Sequence, residues 1–490
     1  MPGELKTIYF LPLLVILCIT SSRAQTLDVK LSVATLAPPR LRVEGTRAGG
    51  ARTWSFLNVY GGALGLGERI ENLALADAEG KEVAVRKRAP GEFEAARDAA
   101  RFSYEIRLDP PTNASDAAHV SWLTGERGLL MLGDVLPGPL RDARVRLALP
   151  PGWSVSTTEV VNTEGAYEIT DAGLSVFLLG RDLRSTPSRR RGMEFAAVAT
   201  GEWAFGDDEL ARSVSDLLKE YEELMGGVPL KRARVFVSPF PQAAPAQSWS
   251  AETRGGTVVI LSGRLPSKTF ALSRLDAVLA HELLHLWVPN GLSLDGEYDW
   301  FYEGFTLYEA LRRGLRRNQL TLQDYLNAMG RAYDGYKSAW GAEKLSLIEA
   351  SRRRWTLAPS FIYDKGMLVA FLYDLTLTRR TGGKNSLDDV YRTLFRRHGA
   401  KAPREDGSRA VLNVLGGTGG MQDFANRYVE GQTEIDLAAE LAPFGLRLEA
   451  TGTRTRVVVS DSLDKSQRDL LQKFGYNEGG SPSPRRPRGN

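Results

Sequence analysis

The chain has 490 residues, 43% of them apolar and 25% charged, with a formal net charge of +4. That length and ordinary globular composition require more than one core, while so small a charge excess gives no global support for nucleic-acid binding. Its one cysteine, Cys18, excludes a disulfide scaffold and any site built from several thiolates.

In chain order, the first 24 residues read as a secretory signal. Lys6 precedes an apolar run from Ile8 to Ile19, and Ser22 and Ala24 are small residues suited to cleavage after Ala24. The run is shorter than the roughly 20 residues of a bilayer span, so the expectation is a secreted or periplasmic protein with no stable membrane span after cleavage. Residues 25–204 read as a β-rich, sandwich-like domain, because DVKLSVATL, ARFSYEIRL, ARVRLALPPGWSV and EFAAVATG alternate or run apolar between turn residues. RSTPSRRR at 184–191 reads as a solvated loop, the usual fate of a charge run. From 205 to 447 helical spacing dominates, beginning with GDDELARSVSDLLKEYEELMGG. Ser273 with Asp276, Thr321 with Asp324 and Ser386 with Asp389 fit helix starts. Residues 448–490 offer one strand, TRVVVS, and a tail expected to be disordered.

The stretch LAHELLHLWV carries two of the four histidines. On a helix running from Ser273 to Val288, His281 and His285 are one turn apart and can reach one metal ion, while Glu282 is turned away from both. A carboxylate so placed can act as the general base of a metal-assisted hydrolysis. Without usable thiolates or a histidine between His285 and His398, a carboxylate must complete a zinc site of three protein ligands. Asp295, Glu297, Asp299, Glu303 and Glu309 are the candidates; Glu303, flanked by aromatics in DWFYEGFTLYEAL, is the one chosen. The arginine-rich segments around Arg189, Arg316, Arg353 and Arg396 read as solvated faces, and His119 and His398 need no functional role.

HELLH followed by the glutamate of YEGFT resembles the gluzincin metallopeptidases, and among them the glycyl aminopeptidase family more than the aminopeptidase N type. RLALPPGWSVST, FIYDKGMLVAFLYDL and NSLDDVYRTLF extend the resemblance over residues 28–447. It implies an α+β multidomain protein, with a β-sandwich-like domain before a thermolysin-like, mainly helical catalytic domain. It also implies Zn2+ on His281, His285 and Glu303, Glu282 as general base, and Tyr363 as the phenol that stabilises the oxyanion. The expected activity is aminopeptidase action on peptide or protein substrates.

Two departures from the family pattern matter. The family's Gly-Leu-Glu-His strand, whose glutamate recognises a substrate amine, corresponds to SAETRGG, where Glu252 alone matches; an endopeptidase of the same chemistry is therefore the second reading. Gly255 and Gly256 could let a substrate backbone approach the strand edge, or could form a turn. The family's carboxy-terminal PDZ domain has no room in the residues after FGLRLEA, and a non-catalytic binding protein on a peptidase fold is the reading from another class.

Overall fold

Leu27–Leu36 alternates apolar and polar side chains, and it turns Leu27, Val29 and Leu31 into a core. The computed structural model describes residues 27–339, 345–354, 360–452 and 454–477, so the expected signal at 1–24 and the final Arg- and Pro-rich stretch lie outside the described residues. Among the described residues the larger sheets have nine, four and five strands. In the first, Leu27–Leu36 lies between an antiparallel partner, Pro39–Ser55, and a parallel one, Arg141–Ala148.

The second sheet, with Arg127–Met131 and Val176–Gly180 at its centre, joins the first domain to the rest. Leu130, Phe177 and Leu179 face the first sheet and share a core with Val29, Val43 and Phe102. Leu129, Met131, Val176 and Leu178 point the other way, onto Val198, Phe236, Val259 and Leu261 of the third sheet. Burial on both faces explains why GLLM and VFLL read as continuous apolar runs. Two sheets share a core as the sandwich-like expectation has it, and the second also packs against the third sheet.

The third sheet runs in the order Arg184–Arg190, Met193–Ala199, Arg232–Pro239, Thr257–Ser262, Trp249–Arg254, with the three inner strands parallel and both edges antiparallel. Arg184–Arg190 is thus an edge strand rather than the expected loop, and Met193–Ala199 pairs with Arg232–Pro239 in this sheet. Arg189 pairs with Glu194, so the charge run covers a sheet edge, where charges discourage pairing with another chain.

Helices cover the far face of the third sheet in one large core. The site helix runs Lys268–Glu282 from an N-cap at Ser267, one and a half turns before the expected start; Ser273 is interior, and Asp276 accepts from Gln319 Nε2 at 2.8 Å. Thr321 and Asp324 do form a capping box, and Asp389 accepts from the Ser386 N–H at 3.0 Å. At the carboxy-terminal end Leu446–Thr451 and Arg454–Val459 pair as a hairpin. A helix follows at Lys465–Lys473, capped by Asp464 and with Leu470 and Leu471 buried, so the tail expected to be disordered is ordered through this helix. Among the described residues no helix is long and apolar enough to cross a membrane.

Candidate active site

His281 ends the last turn of the site helix, and the chain then tightens into a 3-10 turn at Leu284–Leu286 that carries His285. The two Nε2 atoms face each other at 3.1 Å, and Glu303 Oε2 lies 3.6 Å from each. Among the described residues these three form the one group of His, Cys, Asp and Glu side chains with ligand atoms all within 4.8 Å of one another. The outer ring atoms are also engaged: His285 Nδ1 lies 2.9 Å from the Val288 carbonyl, and His281 Nδ1 lies 3.4 Å from Thr306 Oγ1. Thr306 Oγ1 faces the Tyr302 and Glu303 carbonyls at 2.5 and 2.9 Å and donates its one hydrogen there, which leaves its oxygen to accept from the ring. Two imidazoles with outward N–H groups satisfied and inner nitrogens converging with a carboxylate suit zinc in both donor type and support.

Electrostatics agree with this arrangement. Burial alone would raise the Glu303 carboxyl and lower His285; the hydrogen bonds between Glu303 and the histidines, with the nearby Arg354 charge, instead hold Glu303 well below the usual carboxylate range. His285 is pushed up to about 9, against burial, by Glu303 and Glu282.

Glu303 sits in Trp300–Phe305, a π-helical stretch that runs directly into the α-helix Thr306–Arg316. Its close neighbour is the helix Ser360–Arg380, which carries Tyr363. Contact is made through glycines: a Cβ on Gly304 would lie 2.5 Å from Gly366 Cα, and one on Gly366 would lie 2.7 Å from the Trp300 carbonyl oxygen. Gly304→Ala is therefore expected to force the ligand segment away from the Tyr363 helix. The expected loss is about 1–3 kcal/mol, the range for overpacking a closed contact, and it can be measured by urea denaturation beside the wild type.

Arg354 joins the two segments. Its Nη2 donates to Glu303 Oε1 at 3.0 Å and to Tyr363 Oη at 2.8 Å, while Nη1 pairs with Asp299. The guanidinium thus fixes the Glu303 carboxylate and the phenol together, and because it donates to the phenol oxygen, the phenolic hydrogen must turn elsewhere. Burial, followed by the Glu303 charge, pushes Tyr363 well above the ordinary tyrosine range, which keeps it a neutral donor.

Glu282 is buried, with Oε2 accepting from Thr253 Oγ1 at 2.7 Å. Thr253 belongs to the edge strand Trp249–Arg254, so that strand holds the Glu282 carboxylate in place. One residue earlier, Glu252 is engaged by His119 and Tyr60 from the first domain.

No family model and no curated protein matches the chain. Solved structures do match. An aminopeptidase N family protein from Idiomarina loihiensis, 16% identical, superposes with a TM-score of 0.72 over 86% of this chain and 79% of its own. The M1 zinc metallopeptidase from Deinococcus radiodurans, 15% identical, gives a TM-score of 0.53 over 84% of this chain and 94% of its own. A mutant of that enzyme, bound to a Tyr-Ser-Ala substrate, gives 0.55 over 84% and 95%. The chain has the fold of the M1 zinc metallopeptidases.

On this fold the expected residues separate into those gathered at the centre and those that are not. His281, His285 and Glu303 converge, Glu282 is held by Thr253, and Tyr363 is joined to Glu303 through Arg354. Gly255 and Gly256, expected as a possible approach for substrate backbone, instead form the two-residue turn between the edge strand and Thr257–Ser262. Gly255 has a φ of 52°, a left-handed conformation that favours glycine, and a Cβ on Gly256 would lie 2.7 Å from the Arg232 carbonyl oxygen. Their neighbours belong to this chain: Leu174 beside Gly255, whose carbonyl accepts from Asn290 Nδ2 at 3.1 Å, and Arg232, Thr158 and Leu230 around Gly256. The other candidate ligands are held elsewhere: Asp295 pairs with Arg404, Asp299 with Arg354, and Glu309 with Arg312 and Arg313.

Sequence reasoning missed Thr253, Arg354, Tyr60 and His119. Arg354 lies within an arginine run that reads as solvated, and the other three are recognisable only once distant segments meet. Thr306 had a local signal, its place in YEGFT.

Proposed function

We propose that this chain is a zinc-dependent peptidase that removes residues from the amino terminus of peptides. The observation that carries the reading is the convergence of His281, His285 and Glu303, with Glu282 held by Thr253 and Tyr363 tied to Glu303 through Arg354, on a fold shared with zinc metallopeptidases. A peptide as substrate is supported by the Tyr-Ser-Ala bound to the Deinococcus radiodurans mutant.

Zinc held by His281, His285 and Glu303 would supply Lewis acidity at the scissile carbonyl and make the attacking water more acidic. Glu282, aligned by Thr253, takes the water's proton and returns it to the leaving nitrogen. Tyr363 donates its phenolic hydrogen to the carbonyl oxygen as negative charge develops there. Arg354 holds that phenol against Glu303, so the donor is oriented before substrate arrives. Tyr363→Phe keeps the ring and removes the donor; kcat is expected to fall about 10²–10³-fold with KM nearly unchanged, as measured by steady-state peptide hydrolysis.

Endopeptidase action is the second reading, favoured by Glu252, whose two carboxylate oxygens already have partners. Incubating the zinc-loaded chain with a peptide mixture bearing free and blocked amino termini, followed by mass spectrometry, tests both. Stepwise loss of terminal residues from free-amine peptides alone supports the aminopeptidase; internal cuts in blocked peptides support the endopeptidase. No cleavage in either set overturns the enzymatic reading.

A further inference from the structure

Glu252 is the carboxylate that an amine-recognising peptidase would offer to its substrate, yet in this chain the first domain reaches it first. His119 Nδ1 lies 2.6 Å from Glu252 Oε2, and the Tyr60 hydroxyl donates to Glu252 Oε1 at 2.6 Å. Arg254 braces the cluster, donating from Nη2 to the His119 carbonyl at 2.8 Å and lying 3.9 Å over the Tyr60 ring. His119 fits this position because Gly61 opposes it; a Cβ there would stand 2.8 Å from His119 Cβ. The pair is shielded but reachable, with 22% of the His119 side chain and 17% of the Glu252 side chain exposed. It is also near the candidate site, since the Glu282 charge acts on His119 and the Glu252 charge acts on Tyr363.

We propose that His119 determines which substrates Glu252 can pair with: as an imidazolium it fills the place of a substrate's amino terminus, and a free ammonium enters only when His119 gives up a proton. The inference rests on the zinc-peptidase reading. No covalent bond changes; the ammonium replaces the His119 cation beside Glu252, and one proton goes to solvent.

The titratable and charged groups facing the imidazole are Glu252 and Arg254 from the edge strand, Glu282 from the site helix and Tyr60 from the first domain. Burial and Arg254 favour the neutral ring, but the two carboxylates, chiefly Glu252, outweigh them and raise His119 above the ordinary histidine value. Burial opposes the charge on Glu252 too, yet His119 and Arg254 hold its carboxyl down at about 2. Glu252 therefore stays ionised across neutral pH, and His119 is the group whose charge changes. Blocked peptides do not need Glu252, so their binding should not follow His119.

The test uses zinc-loaded full chain and two zinc-chelating probes, alanine hydroxamate and its des-amino counterpart propionohydroxamate, with affinities measured by calorimetry. Zinc-site titrations affect both probes and cancel in the ratio of their Kd values. In the wild type, below about pH 7, where the probe's own α-amino group stays mostly charged, the preference for the free amine is expected to rise with pH by up to about tenfold per pH unit while His119 is mostly protonated. Over the same range, heats in buffers of different ionisation enthalpy should report release of about one proton on binding alanine hydroxamate, and none on binding propionohydroxamate. In His119→Gln the preference should stay flat with pH. A wild-type preference that is flat with pH, without extra proton release, overturns the inference while leaving the peptidase reading intact. Failure of both probes to bind overturns that reading and the inference with it. The wild-type measurement decides the matter even if the variant folds poorly.

Discussion

Replacing Glu282 with glutamine is expected to lower kcat for peptide hydrolysis by about 10²–10⁴-fold while zinc remains bound at one ion per chain. Glutamine matches the shape of glutamate, and its amide oxygen can still accept from Thr253 Oγ1, which lies 2.7 Å from the present carboxylate. It has no basic carboxylate to take a proton from water. Glu282 is not one of the three converging ligand residues, so its loss should leave the metal in place. Zinc content by elemental analysis beside steady-state kinetics separates the two effects. Loss of activity with loss of zinc would mean that Glu282 supports the metal; unchanged activity would mean that another group is the base. Thr253→Val gives the graded form of this test, because it frees the carboxylate from its strand partner without removing it.

The convergence of His281, His285 and Glu303 was legible in the sequence because its information is local. His281 and His285 need only helical geometry to meet, and they keep that meeting even though the helix tightens into a 3-10 turn between them. Glu303 arrives from a neighbouring segment whose aromatics, Trp300, Phe301 and Phe305, are all buried, so the burial of that segment could be anticipated as well. What could not be read is which distant segment comes to meet these residues. Arg354 and His119 are a charged residue in a charge run and a histidine without ligand spacing, and only long-range packing makes them partners of Glu303 and Glu252. Sheet membership has the same cause: Met193–Ala199 is a buried run that would suit either large sheet, and its pairing with Arg232–Pro239 decides between them. The start of the site helix failed for a different reason. Ser267 and Ser273 are equally capable N-caps, and the acidic residue after Ser273 is a weaker signal than the point where the chain leaves the strand Thr257–Ser262.

Glu303→Gln is expected to abolish stoichiometric zinc binding and peptide hydrolysis together, with a pH signature in the metal-free protein. The carboxylate lies between two imidazoles and a guanidinium, 3.6 Å from each histidine Nε2 and 3.0 Å from Arg354 Nη2. An amide there is a neutral and poorer ligand, so zinc affinity should fall by more than the roughly 10–100-fold typical of losing a supporting partner. Folding should survive, because Arg354 retains Asp299 as a counter-charge instead of being left buried and unpaired. In metal-free wild type, His285 is raised from 6.5 to about 9 chiefly because Glu303 outweighs burial. A raised folded-state value stabilises fully below the unfolded value and loses that contribution as pH rises through the folded one. The stability deficit of metal-free Glu303→Gln should therefore be largest below about pH 6.5 and shrink toward pH 9, measured by denaturant unfolding in the presence of chelator. A deficit that grows with pH would mean that Glu303 holds no proton on His285, and that the two are not coupled as the geometry requires.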